Sequence, residues 1–188
     1  MGDAARARLL ELLRTRAFER KRVVLASGKE SDFFIDCKQA VLTAEGHALA
    51  GSLMLDALGK LPACVAVAGV ELGGCPLASA VALVSFQQGK PMDAIYVRKE
   101  AKDHGSRRLV EGGTRLPQGA AVAILEDVVT TGGSTLKAVQ RLRDGGFEVV
   151  GVVALVDRDE GGRQAIEAAG VRVEALFVRA DFLAGQEP

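Results

Sequence analysis

Two periods of apolar residues alternate along this chain, one helical and one extended. Residues 4–18 set Leu9, Leu10, Leu12, Leu13 and Ala17 at helical spacing with arginines between them, which predicts an amphipathic helix. Val23-Val24-Leu25 predicts a short strand, Ser27-Gly28-Lys29 a turn, and residues 33–36 a second short strand. Residues 43–58 predict a helix capped by Thr43 and stopped by Gly59. An apolar run over 64–68 reads as a buried strand. The glycine-rich turn 69–74 follows it, and Pro76 suits the first turn of a helix reaching Gln87. Further strands are predicted at 94–97, from Ala121 onward, at 148–156 and at 171–177, with helices at 134–144 and 163–169. Continuous apolar runs in strands separated by helices predict an α/β fold. Its central sheet is mainly parallel and flanked by helices on both faces, with a small N-terminal hood from residues 1–40.

One stretch organises the rest. The apolar run from Ala121 ends in Glu126-Asp127, and Val128-Val129-Thr130-Thr131-Gly132-Gly133-Ser134 then leads into a helix that Ser134 or Thr135 is placed to cap. Ligands of open α/β sheets bind at the carboxyl ends of strands. A helix N-terminus attracts anions, and glycines let the backbone approach them. The turn therefore reads as a phosphate seat and the acids as partners of a diol or a metal-bound sugar. An ordinary strand–turn–helix with a solvated acid pair is the alternative. Neither a Walker loop nor a Gly-x-Gly-x-x-Gly fingerprint is present.

Composition narrows the class. The 188 residues suffice for a single domain spanning 1–188 with a sizeable core. Lysine and arginine total 24, as do aspartate and glutamate, so no broad field favours nucleic acid, and an anionic ligand must be met by a local basic cluster. No apolar run approaches the roughly 20 residues of a membrane span, and no signal peptide is visible. Cys37, Cys64 and Cys75 are scattered and odd in number, which suggests reduced thiols, small buried roles and a cytoplasmic location.

The densest cationic segment, Arg98-Lys99-Glu100-Ala101-Lys102-Asp103-His104-Gly105, continues through Arg107 and Arg108. It directly follows a predicted strand and opens a long polar stretch to Pro117. It reads either as a solvated charge run or as a lid over an anionic leaving group. Arg158 is the only cation in the Asp157–Gly162 turn after the 148–156 strand. A guanidinium there can grip a carboxylate or pair with Asp157 or Asp159. Phe33 and Phe34, adjacent in a strand, must point to opposite faces, one to core and one to a cleft. His47 sits on a helix and reads as structural.

Four of these motifs, in order from Leu25 to Arg158, resemble the orotate phosphoribosyltransferases of the type I phosphoribosyltransferase family. The segment from Glu126 to Ser134 resembles the family's phosphoribosyl-pyrophosphate (PRPP) motif, and 98–104 its Arg-Lys-x-x-Lys-x-His loop. Residues 25–38 resemble its N-terminal hood. Some relatives carry lysine where Ala26 and Gly73 stand here; the first contact is absent or supplied by a neighbour such as Lys29, and the second is not implied for this chain. The resemblance implies transfer of phosphoribose from PRPP to orotate, giving orotidine 5′-monophosphate and pyrophosphate in pyrimidine synthesis. It implies Lys102, Asp127 and Arg98 as catalytic residues. PRPP contacts would come from Arg98, Lys99, Lys102, His104, Glu126, Asp127, Val128, Val129, Thr130, Thr131, Gly132, Gly133 and Ser134. Orotate contacts would come from Thr130, Arg158, Phe33 and Phe34. Mg²⁺ is implied as cofactor, held chiefly through PRPP with Asp127 the candidate direct ligand, and so is a homodimer with shared sites. A type I transferase for another nucleobase, or a non-catalytic regulator keeping the fold, would be the alternatives.

Overall fold

The computed structural model describes residues 2–21, 23–24, 30–100 and 109–184. The chain opens with α1 (Gly2–Arg16), whose Leu9, Leu12 and Leu13 are buried. Phe18, expected to end that helix, instead begins strand β1 (Phe18–Glu19). Two short antiparallel pairs follow: β2 (Val23–Val24) with β3 (Glu30–Ser31), and β1 with β4 (Phe34–Ile35). A one-turn helix α2 (Lys38–Val41) leads to α3 (Ala44–Leu58), where the Thr43 hydroxyl accepts the Gly46 N–H as expected.

The remaining elements form the main sheet. In chain order they are β5 (Ala66–Val70), α4 (Gly74–Gln87), β6 (Asp93–Val97), β7 (Val110–Glu111), β8 (Ala121–Val129), α5 (Gly133–Asp144), β9 (Glu148–Asp157), α6 (Gly162–Ala168), β10 (Val173–Val178) and α7 (Arg179–Leu183). A 3₁₀ turn over Gly113–Arg115 interrupts the stretch expected to be irregular. The strand order is β10-β9-β8-β5-β6-β7. All pairs are parallel except β7 on β6, so the expected mainly parallel sheet carries one antiparallel edge.

Alternating strand residues face two cores. Val67, Ala123, Leu125, Val153 and Leu155 join a layer that includes Leu9 and Leu13 of α1, Met54 of α3 and Leu77 and Val81 of α4. Ala68, Ile124, Val152 and Ala154 face Ala138, Val139 and Leu142 of α5 and Ile166 of α6. Both sheet faces are therefore dry, which explains the unbroken apolar runs. No helix among the described residues is long and apolar enough to cross a membrane.

The N-terminal strands are fixed to the sheet by aromatic packing. Phe18 and Phe33 have centroids 4.8 Å apart, and Phe182 of α7 lies 5.6 and 5.5 Å from them and 6.4 Å from Phe177 of β10. Arg14 of α1 donates through Nε to the Asp181 carbonyl at 3.0 Å. Helix α7 was not expected because five residues are too few for a helical period to register. Truncating a fully buried aromatic costs about 3–5 kcal/mol. Phe182→Ala should therefore lower the unfolding free energy from urea titration by that amount, and a loss below about 1 kcal/mol would show that this cluster does not hold the N-terminal strands in place.

Candidate active site

The order of strands locates a crevice. From β5 the chain moves to β6 on one side, whereas from β8 it moves to β9 and β10 on the other. Helices α4 and α5 leave on opposite faces of the sheet. The carboxyl ends of β5 and β8 thus form the topological switch point, where open α/β sheets hold ligands. The turns Glu71–Gly73 and Thr130–Gly132 face each other across it. A Cβ on Gly73 would lie 1.9 Å from an Asp127 carboxylate oxygen. Any side chain at position 73 would require the Asp127 carboxylate to shift from where it stands against the β5 turn.

The β8 turn is shaped by a second close approach. Gly132 has φ +79°, a left-handed conformation suited to glycine, and is itself the N-cap of α5. The expectation that Ser134 or Thr135 caps this helix is corrected here, because no side chain caps it. Ser134 is exposed, and buried Thr135 instead points its hydroxyl at Glu126 Oε2, 3.5 Å away. The first N–H groups of α5 consequently keep their anion-attracting character. Gly162, first residue of α6, presses on the same turn. A Cβ there would meet the Thr130 carbonyl oxygen at 2.4 Å and the Gly132 nitrogen at 2.9 Å. The role of Gly162 was not read from the sequence, although a Gly-Gly pair just past a strand end was its visible trace.

Beneath the turn stand two neighbouring acids. Glu126 is 6% exposed, and burial followed by the charge of Asp127 pushes its pKa up to about 8, against smaller opposing effects from Lys99 and Thr135. Burial also raises the pKa of Asp127, opposed by the Val128 N–H, which donates to Oδ1 at 2.9 Å, and by the charge of Lys38. Among the described residues no three His, Cys, Asp or Glu side chains gather as a metal cluster. The three cysteines are free, with Cys37 buried and Cys64 and Cys75 half-buried.

The end of β9 adjoins this turn, since Val129 pairs with Asp157 and the Arg158 N–H donates to the Val129 carbonyl at 3.0 Å. Asp157 is buried and accepts from Arg163 Nε at 3.0 Å. Pairing of Arg158 with Asp157 or Asp159 is not what the structure holds: its Nη2 meets Glu160 Oε1 at 2.7 Å, and the side chain is 9% exposed. The Arg158 guanidinium stands 5.4 Å from the Phe33 ring centroid. Phe33 is fully buried, while half-buried Phe34 lies under the Lys21 ammonium at 4.0 Å. On the other flank, the end of β6 carries Arg98 and Lys99. The Lys99 N–H donates to Glu71 Oε2 at 2.8 Å, tying the β5 and β6 turns together. Arg98, Lys99, the run from Glu126 to Ser134, and Arg158 therefore all sit at the carboxyl ends of adjacent strands. Lys102 and His104 lie outside the described residues, as do Ala26 and Lys29.

Comparison with known proteins agrees with this geometry. Residues 48–172 match the phosphoribosyl transferase domain. The chain is 70% identical over 187 residues to an orotate phosphoribosyltransferase of Sorangium cellulosum, covering 100% of this chain and 97% of that one. The crystal structure of the Mycobacterium tuberculosis orotate phosphoribosyltransferase with Fe(III) dicitrate superposes with a TM-score of 0.81 at 41% identity, covering 95% of this chain and 98% of that one. The same M. tuberculosis enzyme in complex with PRPP superposes with a TM-score of 0.77 at 35% identity, covering 97% and 93%. A crevice at the β5/β8 switch point, an uncapped glycine turn above two neighbouring acids, and this extent of likeness place the chain: it belongs to the orotate phosphoribosyltransferases of the type I phosphoribosyltransferase family.

Proposed function

We propose that this chain transfers the phosphoribosyl group of PRPP to orotate, yielding orotidine 5′-monophosphate and pyrophosphate in pyrimidine synthesis. The observation that carries this reading is the uncapped start of α5 above Glu126 and Asp127 at the switch point. Backbone N–H groups of the turn from Val128 to Ser134 take the 5′-phosphate, which sets the ribose over the acids. As the bond to pyrophosphate breaks, positive charge develops on the ribose ring, and carboxylates fixed beside it favour that state. Arg98 and Lys99, with Lys102 and His104 beyond them, neutralise the departing pyrophosphate. Thr130 and Arg158 orient orotate through its carboxylate, a group that purine bases lack. Phe33, being fully buried, serves by backing the Arg158 guanidinium, and Phe34 is the ring with surface to offer.

The two acids fit a divalent cation only if substrate oxygens and water complete its shell, which is how Mg²⁺ is commonly held. Asp127 is the protein ligand best placed for it. Such an ion supplies charge stabilisation to the leaving pyrophosphate. A homodimer is supported by large apolar side chains left exposed on α4 and the turn before it: Leu72, Leu83 and Phe86 are 65%, 55% and 71% exposed. The three free thiols support a cytoplasmic location.

Loss of orotate absorbance on adding PRPP tests the reading. It should require Mg²⁺ and fail with adenine or hypoxanthine in place of orotate. Arg158→Ala should raise the KM for orotate roughly 10- to 100-fold, the usual loss when a charged partner is removed, and leave the KM for PRPP nearly unchanged. Turnover of a purine base, or equal damage to both KM values, would contradict the assignment. The buried acid gives a second check. Glu126 is protonated in both folded and unfolded chains below pH 4.5. Between 4.5 and about 8 only the unfolded chain ionises, so stability falls as pH rises through this window, and the fall ends above about 8. Glu126→Gln should flatten that decline in urea midpoints measured across the window; identical slopes in both proteins would refute it.

A further inference from the structure

Helix α5 begins at the glycine turn, and about two turns later it carries Arg141. The Arg141 side chain does not point away from the site. Its Nη1 donates to the Arg98 carbonyl at 2.6 Å and its Nη2 to the Lys99 carbonyl at 2.7 Å. These two carbonyls lie just past the last residue of β6, Val97, where the parallel ladder with β5 has ended. The other side of the same dipeptide is also held. The Arg98 N–H donates to the Leu109 carbonyl at 2.9 Å, and the Lys99 N–H donates to Glu71 Oε2 at 2.8 Å. Arg98 Nη1 stands 3.9 Å from Glu111 Oε1 on β7. The four backbone donors and acceptors of 98–99 are thus all partnered, the N–H groups by β7's flank and the β5 turn and both carbonyls by α5.

We infer that Arg141 is a positioning residue for the transfer reaction: its forked guanidinium locks the Arg98–Lys99 backbone to the helix that starts at the phosphate turn. This rests on the proposed reading of Arg98 and Lys99 as contacts of the departing pyrophosphate. A guanidinium is suited to the task because its planar donors engage two neighbouring carbonyls at once, and the charge strengthens both bonds. A lysine offers the same charge from a single point and cannot span both acceptors in one geometry. The lock has a consequence for the acids as well. The Lys99 ammonium favours the ionised form of Glu126, so a shift of this backbone would alter the charge balance under the ribose. Arg141 itself touches neither acid nor turn. It fixes the distance between the two ends of the substrate site, the phosphate seat at the start of α5 and the cationic edge beyond β6.

Arg141→Met and Arg141→Lys variants of the full chain test this, assayed for orotate turnover and titrated with pyrophosphate by calorimetry. Misplacing a catalytic group by about an ångström commonly costs up to roughly 100-fold. Arg141→Met should lower kcat roughly 10- to 100-fold and weaken pyrophosphate binding, with the KM for orotate and the melting temperature little changed. Arg141→Lys should recover only part of either loss. Full recovery in Arg141→Lys would mean that charge alone matters and would overturn the inference, as would a Met variant with unaltered kcat and unaltered pyrophosphate affinity. If Arg141→Met does not fold, Arg141→Lys decides by the same two readouts. Wild-type protein lacking orotate turnover would refute the proposed function, and the pyrophosphate titration would then judge Arg141 separately.

Discussion

Two neighbouring carboxylates removed from water are the constraint on which this structure turns. Glu126 and Asp127 stand near the end of a strand whose apolar residues are buried on both faces; Glu126 is buried and Asp127 half-buried. Burial opposes the ionisation of both, and the charge of Asp127 adds to this at Glu126, which leaves the pair in need of positive charge. Under the proposed function, a ribose ring that develops cationic character as its bond to pyrophosphate breaks would supply that charge. An acid pair in open solvent would gain little from the same partner, because water would already have stabilised it.

Placement of the pair follows from topology and from backbone contact. The reversal of strand order between β5 and β8 opens the crevice, and Gly73 lets its β5 wall close on Asp127 without collision. The far wall is the turn that Gly162 of α6 supports from behind. Hydrogen bonds, one to a side chain and one between backbones, then link these strand ends in two pairs. Glu71 joins the β5 turn to Lys99, and Arg158 is seated by its own N–H on the carbonyl of Val129. The site is built less from long side chains reaching inward than from strand ends held in a fixed mutual arrangement.

Much of this was legible in the sequence, and what was missed has common physical causes. Long apolar runs announced β8 and β9, and Thr43 announced the start of α3, since both signals are local. The strand expected at 64–68 lies at Ala66–Val70, because the hydrophobic run continues into residues that only pairing with β6 and β8 selects. Helices α2 and α7 and strand β7 are too short to show a period. The capping role assigned to Ser134 or Thr135 failed because capping preference is statistical, whereas here the turn at Gly132 is packed against Gly162 of α6 behind it. Pairing of Arg158 with Glu160, and of Glu71 with Lys99, depends on side-chain direction and on contacts between distant segments, neither of which spacing encodes.

The central claim is that the start of α5 seats the sugar phosphate while the acids below it face the ribose. A crystal structure of this protein with PRPP bound tests it most directly. The account predicts the 5′-phosphate on backbone N–H groups between Val128 and Ser134, with ribose hydroxyls toward Glu126 and Asp127. A 5′-phosphate lodged instead on the Glu71–Gly73 turn, with the ribose away from both carboxylates, would contradict it.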